Sequence, residues 1–158
     1  MMTPTQAQTY CTTLTKKSGS NFYYSFLFLP KARRDAMYTV YAFCKEVDNA
    51  VDEPPPGSHP QEELARWRQE LAATYSGTPT FPVTISLAQH VRALSIPQAY
   101  FEELIKGVEM DLTTKRYATF DQLSLYCYRV ASVVGLICLH VFGTTSPRAQ
   151  DYAVNLGM

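Results

Sequence analysis

The sequence predicts an all-α fold of seven or eight helices. Apolar residues recur at spacings of three and four along most of the chain, and no segment shows the strict alternation of a half-buried strand. Pro/Gly clusters fall between the periodic stretches rather than inside them. At 158 residues the chain is long enough for one domain with a substantial core.

The first clear helix runs from Lys31 to Asp52, with Met37, Val40, Tyr41, Cys44, Val47 and Val51 in helical period. Pro30 stands just ahead of it, near the first-turn position where proline is tolerated. Pro54-Pro55-Pro56-Gly57 cannot continue the helix and reads as a surface loop. A shorter helix from Gln61 to Tyr75 carries Leu64, Trp67 and Leu71, and Ser76-Gly77-Thr78-Pro79 closes it. Phe81 to Leu94 and Pro97 to Leu112 are the next two, the second with proline at its start. Thr119 sits where an N-cap is needed for the following helix. That helix reads LSLYCYRVASVVGLICLHVF and is apolar nearly all round, which predicts a central position, and Gly143-Thr144-Thr145 ends it. Ser146-Pro147 opens a last helix in which Ala149, Tyr152, Ala153 and Leu156 keep period to the final residues. With Gly157-Met158 a poor cap, the pattern predicts a fold that is incomplete at its C-terminus.

Composition narrows the function. Apolar residues make up 46% of the chain and aromatic residues 13%, which excludes a disordered chain. Fourteen basic residues balance fourteen acidic ones, so the net basic field of a nucleic-acid binder is missing and nucleic acid is not expected as a partner. Eleven tyrosines against one tryptophan suggest that some phenols line a cavity, because a buried hydroxyl needs a partner. Cys11, Cys44, Cys127 and Cys138 show no zinc-like spacing. Without a secretory segment they read as reduced core thiols of a cytoplasmic protein. No apolar run reaches the ~18 residues that span a bilayer. Contact with the inner face of a membrane is left open, as is the oligomeric state.

Chemistry concentrates in YAFCKEVDNAVDE, residues 41–53. At 100° per residue, Tyr41, Lys45, Asp48 and Asp52 share one narrow stripe beside the apolar one. Like charges one turn apart cost a helix ~0.2–0.5 kcal/mol, so this stripe either faces water or holds a cation. Two carboxylates one turn apart can ligate Mg²⁺, a hard ion that keeps waters and is shared with substrate phosphates. Lys45 can then pair with a diphosphate and Tyr41 can donate a hydrogen bond. A solvated helix end is the competing reading, and the spacing leaves both standing. Glu109 and Asp111, two residues apart, point to different faces and read as helix-end and loop charges rather than a second metal pair. In the apolar helix, Val130, Ala131 and Gly135 lie near one another and near Tyr126, with Ser132 beside them. This thin face admits either a neighbouring helix or an apolar ligand, and close helix packing is the more ordinary use.

Taken together, GSNFYYSFLFLPKARRDAMYTVYAFCKEVDNAVDE and FEELIKGVEMDL…RYATFDQLSLYCYRVASVVGLICLHVFG resemble the two opening blocks of the squalene/phytoene synthase family, in order and over nearly the whole chain. Within the family the first block is most similar to bacterial presqualene diphosphate synthases of hopanoid pathways, with phytoene and dehydrosqualene synthases close behind. The resemblance implies an isoprenoid-synthase helical bundle around an apolar cavity, with residues 1–158 as the N-terminal part of one domain. It implies Mg²⁺-dependent head-to-head condensation of two farnesyl diphosphates, or of geranylgeranyl diphosphates in the carotenoid branch, with NADPH needed only if the reaction proceeds to squalene. Carried over by residue, Asp48 and Asp52 would hold Mg²⁺, Phe22, Tyr41 and Lys45 would contact substrate, and Tyr126 would assist proton loss or cation stabilisation. Val130, Ala131 and Gly135 would line the cavity.

Lys45 stands where the family usually has arginine, which keeps the charge but loses the bidentate fork. Asn49, Asn21 and Ser132 replace a frequent aspartate, serine and glycine. A second aspartate-rich motif is not among the 158 residues, so the resemblance implies half a metal site and a stretch that is inactive alone. A non-catalytic relative acting as an assembly factor, and a plain helical interaction domain, are the alternatives from other functional classes.

Overall fold

The computed structural model describes residues 1–144 and 146–158, and every regular element among them is helical. In chain order these are α1 (Pro4–Lys17), α2 (Asn21–Phe26), α3 (Lys31–Asp52), α4 (Pro60–Ser76), α5 (Pro82–Leu94), α6 (Gln98–Thr113), α7 (Phe120–Cys127), a π-helical turn (Tyr128–Ser132), α8 (Val133–Phe142) and α9 (Pro147–Leu156). Helices α3 to α6 begin and end within a residue or so of the positions their periodicity predicts. Thr119 caps α7 by accepting a hydrogen bond from the Gln122 amide. Gly143 terminates α8 in the left-handed conformation, while Thr145 lies outside the described residues.

Helices α1 and α2 go beyond the periodic segments of the sequence. The buried residues of α1 are Ala7, Cys11 and Thr15, small side chains at a strict spacing of four that leave almost no hydrophobic signal. Its start is fixed by a capping box in which Thr3 and Gln6 exchange side-chain and backbone hydrogen bonds.

The central element is α3, not the long apolar helix. α3 packs against α1, α4, α5, α6 and α8 and buries Phe43 and Val47 completely. Phe43 meets Trp67 and Phe101 edge-on, with ring centroids 5.6 and 5.1 Å apart, and Trp67 passes the contact to Phe81 at 5.2 Å. Burying each such ring stabilises the fold by ~1.5–3 kcal/mol, with a smaller increment for edge-to-face geometry.

The continuous helix Phe120–Phe142 corrects a second expectation, for its 23 residues, with an 18-residue stretch of mean hydropathy 1.7, are long and apolar enough to cross a membrane by length and composition alone. Here it serves as a wall of the bundle. Its α8 half buries Val133, Leu136, Ile137 and Val141, whereas α7 buries nothing, leaving Phe120, Leu123 and Leu125 exposed. Arg129 ties the wall to α6 by donating to Glu103 at 3.0 Å.

Gly107 makes that junction possible. A Cβ there would lie 2.7 Å from the Arg129 Cβ and 2.8 Å from the Val130 Cγ1. Helix propensity favours alanine over glycine by about 1 kcal/mol, but overpacking against a neighbouring helix costs ~1–3 kcal/mol. Gly107→Ala is therefore expected to lower the melting temperature by several degrees; an unchanged or raised value in thermal denaturation would show that the junction yields freely.

Candidate functional site

Three helix stripes converge on one groove of about 530 Å³, within the ~300–1,000 Å³ typical of small-ligand sites. From α3 come Met37, Val40, Tyr41, Cys44, Asp48 and Asp52. From α6 come Leu104 and Asp111, seven residues and hence about two turns apart. The third wall presents Tyr126, Val130, Val134, Cys138 and Phe142, every fourth residue. In an unbroken α-helix each such step overshoots a full turn by about 40°, and four steps would carry the stripe off the groove. The π turn at Tyr128–Ser132 intervenes where Val130 lies and offsets part of this drift, a use typical of π-bulges at functional sites. Phe22 and Phe26 of α2 close one side, stacked 6.0 Å apart, with Phe22 tilted against Tyr41 at 6.1 Å.

The groove is chemically polarised. Its walls are largely aliphatic and aromatic, and burial pushes the Cys44 thiol up to about 12 and Cys138 to about 11, so both act as protonated apolar lining. All four cysteines are free. At one end sit the carboxylates Asp48, Asp52 and Asp111. Desolvation, with repulsion from Asp52 and Asp111 and partial relief from Lys45, raises Asp48 to about 6. Tyr126 is raised to about 12 by burial and then by the neighbouring Asp111 carboxylate. Its ring lies 5.3 Å from Tyr117, whose buried hydroxyl has no hydrogen-bond partner.

Of the residues singled out by sequence, Phe22, Tyr41, Asp48, Asp52, Tyr126 and Val130 are brought together on this groove. The Tyr41 hydroxyl donates to Ser18 Oγ at 3.1 Å. Three others are not. Lys45 lines a separate surface groove between α1 and α3 with Lys17, Glu46 and Asn49, and reaches the site only through its charge on Asp48. Ala131 is exposed, and Gly135 faces α9, where an added Cβ would lie 3.3 Å from the Ala153 Cβ. The thin face is thus used for helix packing. Ser132 anchors it by donating to the Val154 carbonyl at 2.8 Å, and Gly157 passes too close to Ser132 for any larger residue.

Asp111 is the main addition. Glu109 does turn outward, pairing with Arg68 at 2.5 Å, but Asp111 does not. Its position seven residues after Leu104 was the available signal, since both fall on the groove face of α6. Phe26, four residues after Phe22, and Val134, Cys138 and Phe142 were marked by the same kind of spacing.

The donor chemistry suits a hard divalent cation. Carboxylate oxygens from α3 and α6 face the groove, repulsion already loads Asp48, and the Tyr117 hydroxyl is unsatisfied nearby. Among the described residues no three His, Cys, Asp or Glu side chains close around a single point. The chain thus offers part of a shell, with room for the waters and phosphate oxygens that Mg²⁺ retains.

Comparison with known proteins gives a consistent picture. The squalene/phytoene synthase family profile matches residues 15–158. A phytoene synthase from Arthrospira platensis is 37% identical over 150 residues, covering 93% of this chain and 48% of its own length. A presqualene diphosphate synthase from Rhodopseudomonas palustris is 36% identical over 140 residues, covering 88% of this chain and 50% of its own. Among solved structures, squalene synthase HpnC from Alicyclobacillus acidocaldarius superposes with a TM-score of 0.86 at 28% identity, over 94% of this chain and 56% of that one. The chain spans about half the length of the curated relatives it matches.

The Asp48 shift has a measurable consequence. The folded chain holds this proton more tightly than an ordinary aspartate at 3.8, so stability falls as pH rises from about 4 to about 6 and levels off above. Asp48→Asn removes the loss. Allowing for screening by groove water, it is expected to stabilise the fold by about 1 kcal/mol at pH 7 and to leave it unchanged at pH 4. Melting curves for both proteins across this range check it; parallel pH profiles would contradict the repulsion.

Proposed function

The chain belongs to the squalene/phytoene synthase family, and from that premise we propose that the whole protein joins two prenyl diphosphates head to head. The proposed substrate is farnesyl diphosphate, and the proposed product presqualene diphosphate, or squalene where NADPH is supplied. The observation that carries this reading is the polarised groove, three carboxylates at one end of a long apolar trough.

Asp48 and Asp52, with Asp111 facing them, are the residues that would hold Mg²⁺. Bound there, the ion would neutralise diphosphate charge and make it a better leaving group. The remaining work falls to the chain itself. The wall formed by Phe22, Phe26, Val40, Leu104, Val130 and Val134 receives the isoprenoid chains and keeps water from the allylic cation left when diphosphate departs. The double bond of the second molecule attacks that cation, and loss of a proton closes the cyclopropane. A phenol held at about 12 is protonated at neutral pH, so Tyr126 acts through its hydrogen bond and ring electrons rather than as a resting base. Lys45, one turn from Asp48, contributes positive charge from the rim. With Phe22 and Phe142 open to solvent, the 158 residues alone do not seal the groove, and this stretch is expected to bind substrate without turning it over.

A carotenoid-type condensation of geranylgeranyl diphosphate to phytoene is the second reading, supported by 37% identity to a phytoene synthase, on a par with the 36% to the presqualene enzyme. Product analysis of the whole protein with each substrate, with and without NADPH, separates the two. In the same assay Asp52→Asn is expected to lower Mg²⁺-dependent turnover ~100-fold or more, and Tyr126→Phe at least ~10-fold. Undiminished product from Asp52→Asn would sink the metal role. Absence of both turnover and Mg²⁺-dependent diphosphate binding would favour a non-catalytic assembly factor.

A further inference from the structure

Tyr117 stands in the loop between α6 and α7, and its hydroxyl is buried without a hydrogen-bond partner. Among the buried side-chain atoms of the described residues, only the Ser124 hydroxyl shares that condition. A phenol so placed forfeits its bonds to water and gains none, so a phenylalanine would fill the same space more favourably. The oxygen therefore calls for a reason outside packing.

The loop does not need it. At the α6 end, the Thr114 amide donates to the Met110 carbonyl at 2.9 Å and Lys115 Nζ donates to the Asp111 carbonyl at 3.1 Å. At the α7 end, the Ala118 amide donates to Gln122 Oε1 at 3.1 Å, and the Gln122 amide donates to Thr119 Oγ1 at 3.2 Å. These bonds fix the backbone on either side of residue 117. They leave its ring 5.3 Å from that of Tyr126, tilted by 32°.

The Asp111 carboxylate acts on both phenols. After burial it is the next influence raising Tyr117, and it accepts the hydrogen bond that, behind burial, raises Tyr126. An ionised carboxylate has acceptor room for two phenols, and Tyr126 occupies only one place. Carboxylates that ligate a metal are themselves held by outer hydrogen bonds, whose loss typically costs roughly 10–100-fold in metal affinity or activity. Such bonds commonly close only once the ligand is in place.

We propose that Tyr117 is a positioning residue, its hydroxyl the outer donor that locks the Asp111 carboxylate when a divalent cation is held at that end of the groove. Tyr117 keeps Asp111 turned toward the cation, and Asp111 keeps Tyr126 turned toward the substrate. The bond rests on the cation reading of the three carboxylates, and its effect on turnover rests on the condensation reading.

The test compares the whole protein with its Tyr117→Phe variant, which keeps the ring and removes the oxygen. In metal-free buffer with a chelator, the variant is expected to melt at the parent's temperature or above, since only an unpaired group is lost. In calorimetry with inorganic diphosphate as the probe, the Mg²⁺ concentration for half-maximal binding is expected to rise ~10-fold. The Mg²⁺ requirement for turnover should rise alike, while KM for farnesyl diphosphate at saturating Mg²⁺ stays unchanged. A lower melting temperature for the metal-free variant would overturn the proposal, because the hydroxyl would then already be bonded within the fold. An equal Mg²⁺ requirement in the two proteins would overturn it as well. Diphosphate binding by the parent that ignores Mg²⁺ would remove the cation and this inference together. A shifted Mg²⁺ requirement with no turnover in either protein would uphold the role of Tyr117 and sink the condensation reading alone.

Discussion

Like charges gathered at one end of an apolar groove set the central constraint on this molecule. Asp48 loses part of its hydration and is repelled by Asp52 and Asp111, and its raised proton affinity measures that conflict. Nothing local resolves it. The arrangement persists because α3, which carries two of the three, is the most enclosed helix of the bundle, with Phe43 locked between Trp67 and Phe101. One helix supplies both the rigid core and the strained site, about a third of a turn apart. Well-packed rings offset the cost of poorly placed charges, a division common at functional sites.

The third carboxylate depends on a different contact. α6 brings Asp111 to the groove only because Gly107 lets it approach the π turn closely, and that same turn keeps Tyr126 and Val130 aligned with Val134, Cys138 and Phe142. The unusual backbone and the absent side chain act together. A regular helix would turn Tyr126 away from Asp111, and a larger residue at 107 would push α6 and its carboxylate outward. The pairing of Tyr126 with Asp111 is thus a product of helix–helix geometry, although the residues are 15 positions apart and on separate elements.

That distinction explains what could be read from the sequence. Helices α3 to α6 are legible because each has a wide apolar stripe between proline or glycine stops, and the Tyr41–Asp48–Asp52 stripe follows from the same period. Helix α1 was not legible, since Ala7, Cys11 and Thr15 bury a face with little hydrophobic contrast. The long apolar helix misled in two ways, toward a central position and away from a span-length segment, because hydropathy cannot say which apolar faces find neighbours. Ala131 and Gly135 were read with Val130, yet a step of one residue rotates a side chain by about 100° and sends it to a different neighbour. The spacing of Glu109 and Asp111 shows only that the two diverge, and it is Asp111 that faces the groove while Glu109 pairs with Arg68.

The charge pattern along α3 joins these threads. Over its 22 residues, about 33 Å, the helix places Lys31, Arg33 and Arg34 in its first turn and Asp48 and Asp52 in its last two turns. Its macrodipole favours the reverse at both ends, each misplaced charge costing ~0.3–1 kcal/mol where exposed. Core packing holds such a helix together, and the chain's own charges relieve part of the mismatch, Asp35 pairing with Lys31 at 2.6 Å and Lys45 easing the load on Asp48. At the C-terminal end the groove asks for a cation that also accepts phosphate oxygens. Under the proposed function, a cation held by Asp48 and Asp52 would relieve what Lys45 leaves of the mismatch at that end.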